Sequence, residues 1–275
     1  MRLHRAGVLG KPIAHSLSPV IHNAGYAAAG LDGWAYTATE CAESELAAFV
    51  AGLGPEWVGL SLTMPLKEVA LDVATTATPL ATTLAAANTL VRRADGWHAH
   101  NTDAPGMVDT LRAAGADEVA SLSVLGGGGT ARAALGAARE LGVERVTVYV
   151  RRPEAGAELR PLAEELGLRL TVAGWADAPG CGNADVVIST VPGGGADGLA
   201  DACASGGWPS RPVLFDVVYD PWPTPLAASA ERAGCRVVSG LDLLLAQGVR
   251  QFELFTGVPA PVEAMGAALR AASAG

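Results

Sequence analysis

Short apolar runs typical of strands alternate with segments of helical periodicity along almost the whole chain. In the first hundred residues, runs of apolar or alternating residues predict strands, and apolar residues three and four apart predict helices. The predicted strands of this first region are residues 6–9, 34–39, 57–62, 89–91 and 97–100, and the predicted helices are residues 19–29, 44–51 and 66–74.

A second, more regular region follows a helix predicted at residues 105–114. Its predicted strands are residues 122–125, 145–150, 169–172, 185–190, 213–217 and 236–238, and its predicted helices are residues 130–141, 154–166 and 226–233. Strands that are connected by helices form a parallel sheet with right-handed crossovers. After residue 240 the pattern is helical only, at residues 241–255 and 261–272.

These patterns predict an α/β protein of two domains. The first is an N-terminal α/β domain, residues 1–104, completed by the C-terminal helices of residues 241–275, which have no strand left to pair. The second is a Rossmann-type doubly wound parallel-sheet domain, residues 105–240. We expect a cleft between the two domains.

Composition narrows the classes of function. The 275 residues are 50% hydrophobic and 17% charged, which argues against disorder, and the net charge of −9 argues against nucleic-acid or membrane-surface partners. No apolar run reaches the roughly 18–20 residues of a membrane span, and the N-terminus lacks the apolar segment of a signal peptide. We therefore expect a cytoplasmic protein, either a monomer or a homodimer.

Cysteine and lysine are both scarce. The four cysteines are far apart and form no C-x-x-C pair, so we expect buried thiols in a reducing compartment rather than a disulfide framework. Only two lysines occur, Lys11 and Lys67.

A glycine-rich loop stands between a predicted strand and a predicted helix. The pattern G-x-G-x-x-A in this context is typical of dinucleotide binding, because the glycines allow a tight turn and a close approach of backbone to pyrophosphate at a helix N-terminus. An ordinary flexible turn is the alternative. The candidate cofactor-binding residues of the loop are Gly126, Gly127, Gly128, Gly129, Thr130 and Ala131.

The end of the next strand distinguishes the two nicotinamide cofactors. A site for NAD carries an acidic residue there, whereas this strand ends in Arg151 and Arg152. One charge-assisted contact from an arginine to a 2′-phosphate contributes about 1.5–3 kcal/mol, so we predict NADP. Two solvated surface arginines are the alternative.

Polar residues also cluster at strand ends in the first region, where α/β folds gather ligand groups. Ser16 and Ser18, two positions apart in a segment expected to be extended, could hold one carboxylate; helix capping is the alternative for Ser18. Lys67 is predicted near a helix start, where a cation opposes the helix dipole and is a poor choice for stability.

The order of motifs along the chain resembles the shikimate dehydrogenase family. The resemblance covers essentially the whole sequence, and the combination of motifs is highly specific. The family's H-S-x-S-P is found at residues 15–19, T-x-P-x-K at 63–67, A-N-T at 87–89, N-T-D-x-x-G at 101–106, D-x-x-Y-x-P-x-x-T-P-L at 216–226 and G-x-x-x-L-x-x-Q-G at 240–248.

The resemblance implies reversible, NADPH-dependent reduction of 3-dehydroshikimate to shikimate, a step of aromatic amino-acid synthesis. It implies that the first domain binds substrate and the second binds NADP, with Lys67 and Asp103 as the catalytic pair. The substrate-binding residues that it implies are Ser16, Ser18, Thr63, Asn88, Asp103, Tyr219 and Gln247, and the cofactor residues are the glycine loop, Arg151 and the backbone of Gly240.

Two departures from the family pattern bear on the cofactor side. The family commonly has Asn-Arg-Thr after the second strand of the cofactor domain, where this chain has Val150, Arg151 and Arg152, so Arg152 could share the phosphate contact. Leu243 and Leu244 stand where Met-Leu is common, which alters packing rather than chemistry.

Two other interpretations stay open. A quinate/shikimate dehydrogenase that uses NAD shares almost every motif, and a non-catalytic dinucleotide-binding regulator is a further alternative. His98 and His100 project from one strand face, but no third ligand is near them in the sequence and hydride transfer needs no metal, so we predict no metal site.

Overall fold

A computed structural model describes residues 3–204 and 207–273. The chain divides into two compact units, one made of Met1–Asp103 with Leu244–Gly275 and the other of Ala104–Leu243. We call them the first and the second unit. Each unit has its own six-stranded sheet, and the predicted α/β fold is confirmed.

The first unit contains a mixed sheet with the strand order β2-β1-β3-β5-β6-β4. β1 lies parallel to both β2 and β3, whereas β5 lies antiparallel to β3 and β6. Its elements are β1 (His4–Gly10), α1 (Ser18–Ala28), β2 (Trp34–Glu40), α2 (Glu43–Ala51), β3 (Trp57–Leu62), α3 (Ala70–Val73), β4 (Thr76–Ala77), α4 (Pro79–Leu84), β5 (Thr89–Arg93) and β6 (Gly96–His100).

The predicted helix at residues 66–74 is wrong over most of its length. The segment forms turns, and only the four-residue α3 is helical. Its backbone groups bond outside a helix: the carbonyl of Thr63 accepts from the N–H of Leu66, and the carbonyl of Lys67 accepts from Ala87 at 2.7 Å. A local turn bond at Leu66 and one tertiary bond at Lys67 therefore take the place of regular helical bonds at these two residues.

β4 and α4 were not predicted. α4 begins after Thr78, whose hydroxyl accepts a hydrogen bond from the backbone N–H of Ala81 at 3.3 Å, with Pro79 as the first helical residue. A threonine N-cap followed by proline is a strong start signal, but the threonine-rich segment lacks a clear apolar stripe. The local cap determines this short helix.

The second unit contains an all-parallel sheet with the strand order β12-β11-β10-β7-β8-β9. This is the strand order of a doubly wound Rossmann fold, in which ligands bind at the carboxyl ends of the central strands, here β7 and β10. Its elements are α5 (Asp103–Ala113), β7 (Ser121–Leu125), α6 (Gly129–Glu140), β8 (Arg145–Val150), α7 (Pro153–Glu158), α8 (Arg160–Glu165), β9 (Arg169–Gly174), β10 (Val186–Ser189), α9 (Asp197–Ala204), β11 (Val213–Asp216), α10 (Pro225–Arg232) and β12 (Arg236–Ser239).

The crossovers of the second unit differ from the prediction in three places, one of which is α9, a helix between β10 and β11 that was not predicted. The single helix predicted at residues 154–166 is divided into α7 and α8, with Pro161 in the first turn of α8. The connection from β9 to β10 is a 3-10 helical segment, Trp175–Asn183, with Pro179 inside it. Proline has no N–H to donate within a helix, which disfavours a regular α-helix at this point.

Two final helices complete the described chain, α11 (Gly240–Thr256) and α12 (Val262–Ser273). α11 begins in the second unit and continues into the first, where α12 packs against α1. Among the residues that the structure describes, no helix combines the length and the apolar character needed to cross a membrane.

Candidate active site

Lys67 and Asp103 form a close ion pair in the first unit. The Nζ atom of Lys67 lies 2.6 Å from Oδ2 of Asp103, and the two side chains are 16% and 6% exposed. Asp103 is the first residue of α5, where the helix dipole favours a negative charge. An ammonium group held in this way remains partly accessible and can donate a proton to an oxygen beside it.

Asn88 fixes the other side of the Asp103 carboxylate. Its Nδ2 donates to Oδ1 of Asp103 at 2.8 Å, and its Oδ1 accepts from the backbone N–H of Thr102, also at 2.8 Å. Because a backbone N–H can only donate, this second bond determines which way the amide points. Each carboxylate oxygen of Asp103 thus has its own donor, and both donors are predicted site residues.

A buried polar chain continues from Asn88 to the interior of the first unit. Nε2 of Gln251, on α11, donates hydrogen bonds to the backbone carbonyl of Asn88 at 3.2 Å and to the hydroxyl of Thr89 at 2.9 Å. Oε1 of Gln251 accepts from Ser61 at 2.6 Å, and Ser61 accepts from the hydroxyl of Tyr36 at 2.5 Å. We call Tyr36, Ser61, Gln251 and Thr89 the buried polar chain; it packs behind Asn88 and restricts its position.

The predicted serines are connected to the same chain. Ser18 is buried next to Tyr36; burial raises the pKa of Tyr36, and side-chain hydrogen bonds with Ser61 and Ser18 oppose that effect. Ser18 does not cap α1, since the N-cap is Leu17 and no side chain bonds there, so the capping alternative is wrong. The expectation of an extended segment is also wrong, because Leu17 has φ −88° and ψ 0°. Ser16 instead accepts a hydrogen bond from the N–H of Ser18 at 3.4 Å.

Thr63 and Gln247 complete the predicted substrate residues of the first unit. Thr63 follows β3 and is tied to β1 by a hydrogen bond from its N–H to the carbonyl of Leu9 at 2.9 Å. Gln247, one helical turn before Gln251, accepts a long hydrogen bond from Asn88 at 3.5 Å. The structure therefore brings Asn88, Asp103, Lys67 and Gln247 together.

Replacement of Gln251 by leucine is expected to destabilise the first unit by more than about 2 kcal/mol. The change removes hydrogen bonds from Ser61, Thr89 and the carbonyl of Asn88, and each buried polar group left without a partner costs about 1–3 kcal/mol. Denaturant unfolding measures the loss. Gln247→Leu on the same helix is the matched control and should cost less; equal losses in the two variants would show that the buried polar chain contributes no special stability.

His22 lies in the aromatic interior next to this chain. Its ring stacks on Tyr36 with centroids 4.1 Å apart and an interplanar angle of 3°. Burial lowers the pKa of His22 to about 3, and the nearby Gln251 raises it by less. The imidazole is therefore neutral at neutral pH, and protonation of His22 opposes folding.

This buried histidine predicts a pH dependence of stability. Unfolding restores the ordinary pKa of 6.5, so below pH 6.5 the unfolded state binds one more proton at this position. The free energy of unfolding should then fall by about 1.4 kcal/mol per pH unit as the pH decreases from 6.5 towards 3. Urea titrations at pH 7 and pH 5 of the wild type and of His22→Phe test this. The variant should have the smaller slope with pH, and identical slopes would contradict the assignment.

The glycine loop lies at the carboxyl end of β7, in the second unit. Gly126 has φ +109°, a conformation that favours glycine, and a side chain there would also collide with the hydroxyl of Thr190. Gly127 leaves little room as well, because an added Cβ would lie 3.0 Å from Ala155. Gly128 differs from both, since nothing lies within 4 Å of the position of its missing Cβ.

That open space suits a ligand that approaches the backbone. α6 begins at Gly129, with Thr130 in its first turn, and carries no acidic residue there. Ala131 is fully buried where the helix meets the sheet. A helix N-terminus of this kind favours a phosphate, because its N–H groups and its dipole both attract negative charge.

The predicted arginines follow the end of β8. Arg151 and Arg152 are both exposed, and Arg152 is the N-cap residue of α7. A third arginine was not singled out from the sequence. Arg132 lies in the first turn of α6, and its Nε atom is buried with no hydrogen-bond partner among the described residues. The signal was the one noted for Lys67, a cation that opposes a helix dipole.

Tyr219 and Gly240 also belong to the second unit. Tyr219 is in the loop between β11 and α10, and Gly240 is the first residue of α11. An added Cβ on Gly240 would overlap the carbonyl group of Val217. Glycine is therefore required at residue 240 for close packing of backbone on backbone.

The two histidines of β6 do not form part of a larger ligand set. His98 pairs with Asp95 at 2.8 Å, and burial lowers the pKa of His100. Within residues 3–204 and 207–273, no group of three or more His, Cys, Asp or Glu side chains is arranged to hold a metal ion.

Two family models match the chain. Residues 8–90 match the shikimate dehydrogenase substrate binding domain, and residues 240–270 match the shikimate 5′-dehydrogenase C-terminal domain. A shikimate dehydrogenase (NADP(+)) of Caulobacter vibrioides is 42% identical over 265 residues, which is 93% of this chain and 90% of the relative.

Solved structures are similar over the same extent. The crystal structure of Mycobacterium tuberculosis shikimate dehydrogenase is 46% identical, with a TM-score of 0.88, covering 98% of this chain and 99% of that one. Shikimate 5-dehydrogenase from Thermus thermophilus, in complex with NADP(H) and shikimate, is 33% identical, with a TM-score of 0.85, covering 98% of this chain and 100% of that one. With sequence and fold similar over nearly the full length, this chain belongs to the shikimate dehydrogenase family.

Proposed function

We propose that this protein is an NADP-dependent shikimate dehydrogenase, which reversibly reduces 3-dehydroshikimate to shikimate with NADPH. The observation that carries the proposal is the hydrogen-bonded arrangement of Lys67, Asp103 and Asn88 in a chain of this family. A regulator that only binds dinucleotides would have no use for a lysine held in this way. An enzyme that reduces a ketone needs a proton donor of this kind.

The chemistry of the residues matches the needs of ketone reduction. When bound, the nicotinamide would supply a hydride to the carbonyl carbon, and negative charge would develop on the oxygen. We assign to Lys67 the transfer of a proton to that oxygen and the stabilisation of its charge. Asp103 orients the ammonium through its 2.6 Å contact, and Asn88 holds the carboxylate from the other side.

The candidate substrate-binding residues are assigned to different groups of the substrate according to the hydrogen bonds that they can form. Ser16 and Ser18 are assigned to the substrate carboxylate, because two hydroxyl groups can donate to one anion. Thr63, Asn88 and Gln247 are assigned to the remaining polar groups of the substrate. Tyr219 is assigned to the place where substrate and nicotinamide meet.

The second unit fits NADP by the residues that it presents. The open space at Gly128 admits pyrophosphate to the backbone, and α6 offers its N-terminus to the same group. The arginines after β8 suit a 2′-phosphate, and no carboxylate stands at that strand end to select NAD. Arg151 is assigned to the 2′-phosphate, with Arg152 as a second contact, and the backbone of Gly240 to the nicotinamide side.

A panel of two substrates and two cofactors tests the proposal. The purified protein is given shikimate or quinate, each with NADP or NAD, and the reduced nicotinamide is followed by its absorbance. We expect turnover with shikimate and NADP and little with quinate or NAD. Comparable rates with quinate and NAD would indicate a quinate/shikimate dehydrogenase, and no turnover in any of the four mixtures would favour the regulator.

The same proposal includes a cytoplasmic location. The four cysteines, Cys41, Cys181, Cys203 and Cys235, are buried and form no disulfide, which suits a reducing compartment. Fractionation of cells followed by immunodetection would test the location.

A further inference from the structure

The loop that carries Tyr219 is held at both ends by one buried carboxylate. We call residues 217–224 the Tyr219 loop; it connects β11 to α10. Asp216, the last residue of β11, accepts a hydrogen bond from the N–H of Val218 at 3.2 Å through Oδ1. Its Oδ2 accepts from the hydroxyl of Thr224 at 2.7 Å. Asp216 is only 2% exposed, so its two oxygens face the loop rather than solvent.

Both attachment points are themselves fixed to regular structure. The carbonyl of Val218 accepts a hydrogen bond from the N–H of Gly240 at 3.2 Å, and the N–H of Val217 donates one to the carbonyl of Ser189 at 3.0 Å. Thr224 is the N-cap of α10, and its hydroxyl accepts from the N–H of Ala227 at 3.1 Å. Tyr219 therefore stands one residue beyond an anchored position, and the far end of its loop is anchored as well.

These contacts explain why Asp216 and Thr224 occur in the sequence motif at residues 216–226. Within the family signature at residues 216–226, Asp216 and Thr224 are the polar residues on either side of Tyr219, eight positions apart in the sequence. A carboxylate offers two acceptors in one plane, which allows a single side chain to bind one donor from each end of the loop. The two flanking residues of the signature, Asp216 and Thr224, thus hold the loop that carries Tyr219.

We propose that Asp216 is a positioning residue, which fixes the Tyr219 loop so that Tyr219 meets the substrate in one orientation. The proposal rests on the proposed function, since it takes Tyr219 to contact the substrate. Asp216 itself acts only through the loop, because both of its oxygens are engaged in the protein interior. Loss of the two anchors should weaken substrate binding more than it changes the chemical step.

The two hydrogen bonds matter more than the charge. Burial raises the pKa of Asp216, which shows that the protein interior disfavours its negative charge. An asparagine at this position retains an oxygen for the N–H of Val218, and its amide nitrogen can donate to the hydroxyl of Thr224. Alanine retains neither contact. Asp216→Asn should therefore restore most of what Asp216→Ala loses.

Steady-state kinetics with shikimate and NADP tests the proposal. Asp216→Ala is expected to raise the KM for shikimate about tenfold, with kcat and the KM for NADP changed less than about threefold, because a lost positioning contact acts on binding of the group that it positions. Asp216→Asn should stay within about threefold of the wild type for all three constants. Equal effects on all constants, or no rescue by asparagine, would overturn the proposal.

A second variant covers the case in which Asp216→Ala does not fold. Thr224→Val removes one anchor together with the helix cap, and Thr78→Val removes the equivalent cap of α4, which lies in the first unit and outside the Tyr219 loop. Thr224→Val should raise the KM for shikimate several-fold, whereas Thr78→Val should leave it unchanged. If both variants raise it equally, capping explains the effect and the anchor does not.

A double-mutant cycle separates this inference from the proposed function. Tyr219→Phe alone should raise the KM for shikimate, and Asp216→Ala should add less than about twofold to it, because the position of a tyrosine that has lost its hydroxyl no longer matters. Additive effects would overturn the positioning role. An effect of Tyr219→Phe without any effect of Asp216→Ala would overturn this inference alone, whereas no shikimate turnover in the wild type would overturn the proposed function.

Discussion

Lys67→Ala is expected to lower kcat for 3-dehydroshikimate reduction by about 10²–10⁴, the range of a lost general acid. The side chain of Lys67 is the candidate proton donor, and its removal leaves the Asp103 carboxylate near the reacting oxygen, where a negative charge opposes the charge that develops there. Binding of NADP, measured by fluorescence titration, should be unaffected, because its candidate residues belong to the second unit. Circular dichroism should show an intact fold.

The chain offers a matched control for this prediction. Lys11 is the only other lysine, and its side chain is 53% exposed and pairs with Glu40 at 3.4 Å. Exposed ion pairs contribute little to stability, about 0–1 kcal/mol, so Lys11→Ala should keep both stability and turnover close to the wild type. Near-normal turnover of Lys67→Ala would remove Lys67 from the mechanism.

Replacement of the two arginines after β8 is expected to remove the preference for NADP. Arg151→Ala should lower kcat/KM for NADP about 10- to 150-fold, the effect of one charge-assisted contact with a phosphate, while kcat/KM for NAD stays nearly constant. If Arg152 shares the contact, the single variants will each lose less and Arg151→Ala/Arg152→Ala will show the full loss. Steady-state kinetics with the two cofactors at fixed shikimate measures the preference.

Arg145→Ala is the control for charge alone. Arg145 is exposed at the other end of the same strand, β8, and its loss changes the net charge by the same amount as the loss of Arg151. It should leave the cofactor preference unchanged. A double variant of Arg151 and Arg152 that still prefers NADP to the extent of the wild type would contradict the assignment of the phosphate site.

Strand positions and the cofactor loop were predictable from the sequence because they depend on local pattern. Parallel strands buried on both faces are continuous apolar runs, as in β10 and β11, and the strand-loop-helix context of Gly126 and Gly128 is contained within about a dozen residues. Lys67 was singled out at a predicted helix start that the structure does not have, since residues 66–69 form turns, and the motif at residues 63–67 is the local pattern that does identify it. In each of these cases the neighbouring residues carry the information.

The elements that were missed depend on contacts distant in sequence or on short caps. Residues 66–69 form turns because Ala87 binds the carbonyl of Lys67, and α4 depends on the cap from Thr78. The buried polar chain joins Ser61 to Gln251 across 190 positions, which no local pattern reports. Gln251 is the main residue of the site that sequence reasoning missed. No local signal marked it, because Arg250 and Glu253 stand beside it in α11 and a polar residue is not unusual there.

The proposed ligands of this acidic protein also show that local residues and whole-chain properties give different information. Both the proposed substrate and the proposed cofactor are anions, although the net charge is −9. Local groups, the serines of the first unit and the glycine loop and arginines of the second, outweigh the mean charge because screening limits distant charges to about 10 Å. The net charge argues against nucleic-acid partners but does not predict these ligands.

The most direct test of the central claim is the stoichiometry of one reaction with the wild-type protein. 3-Dehydroshikimate and NADPH are mixed with the purified enzyme, NADPH consumption is recorded by absorbance, and the product is identified and quantified by NMR. The proposed function predicts one shikimate formed for each NADPH consumed, with NADH giving little product. NADPH that binds but is not consumed, or that is consumed without formation of shikimate, would contradict it.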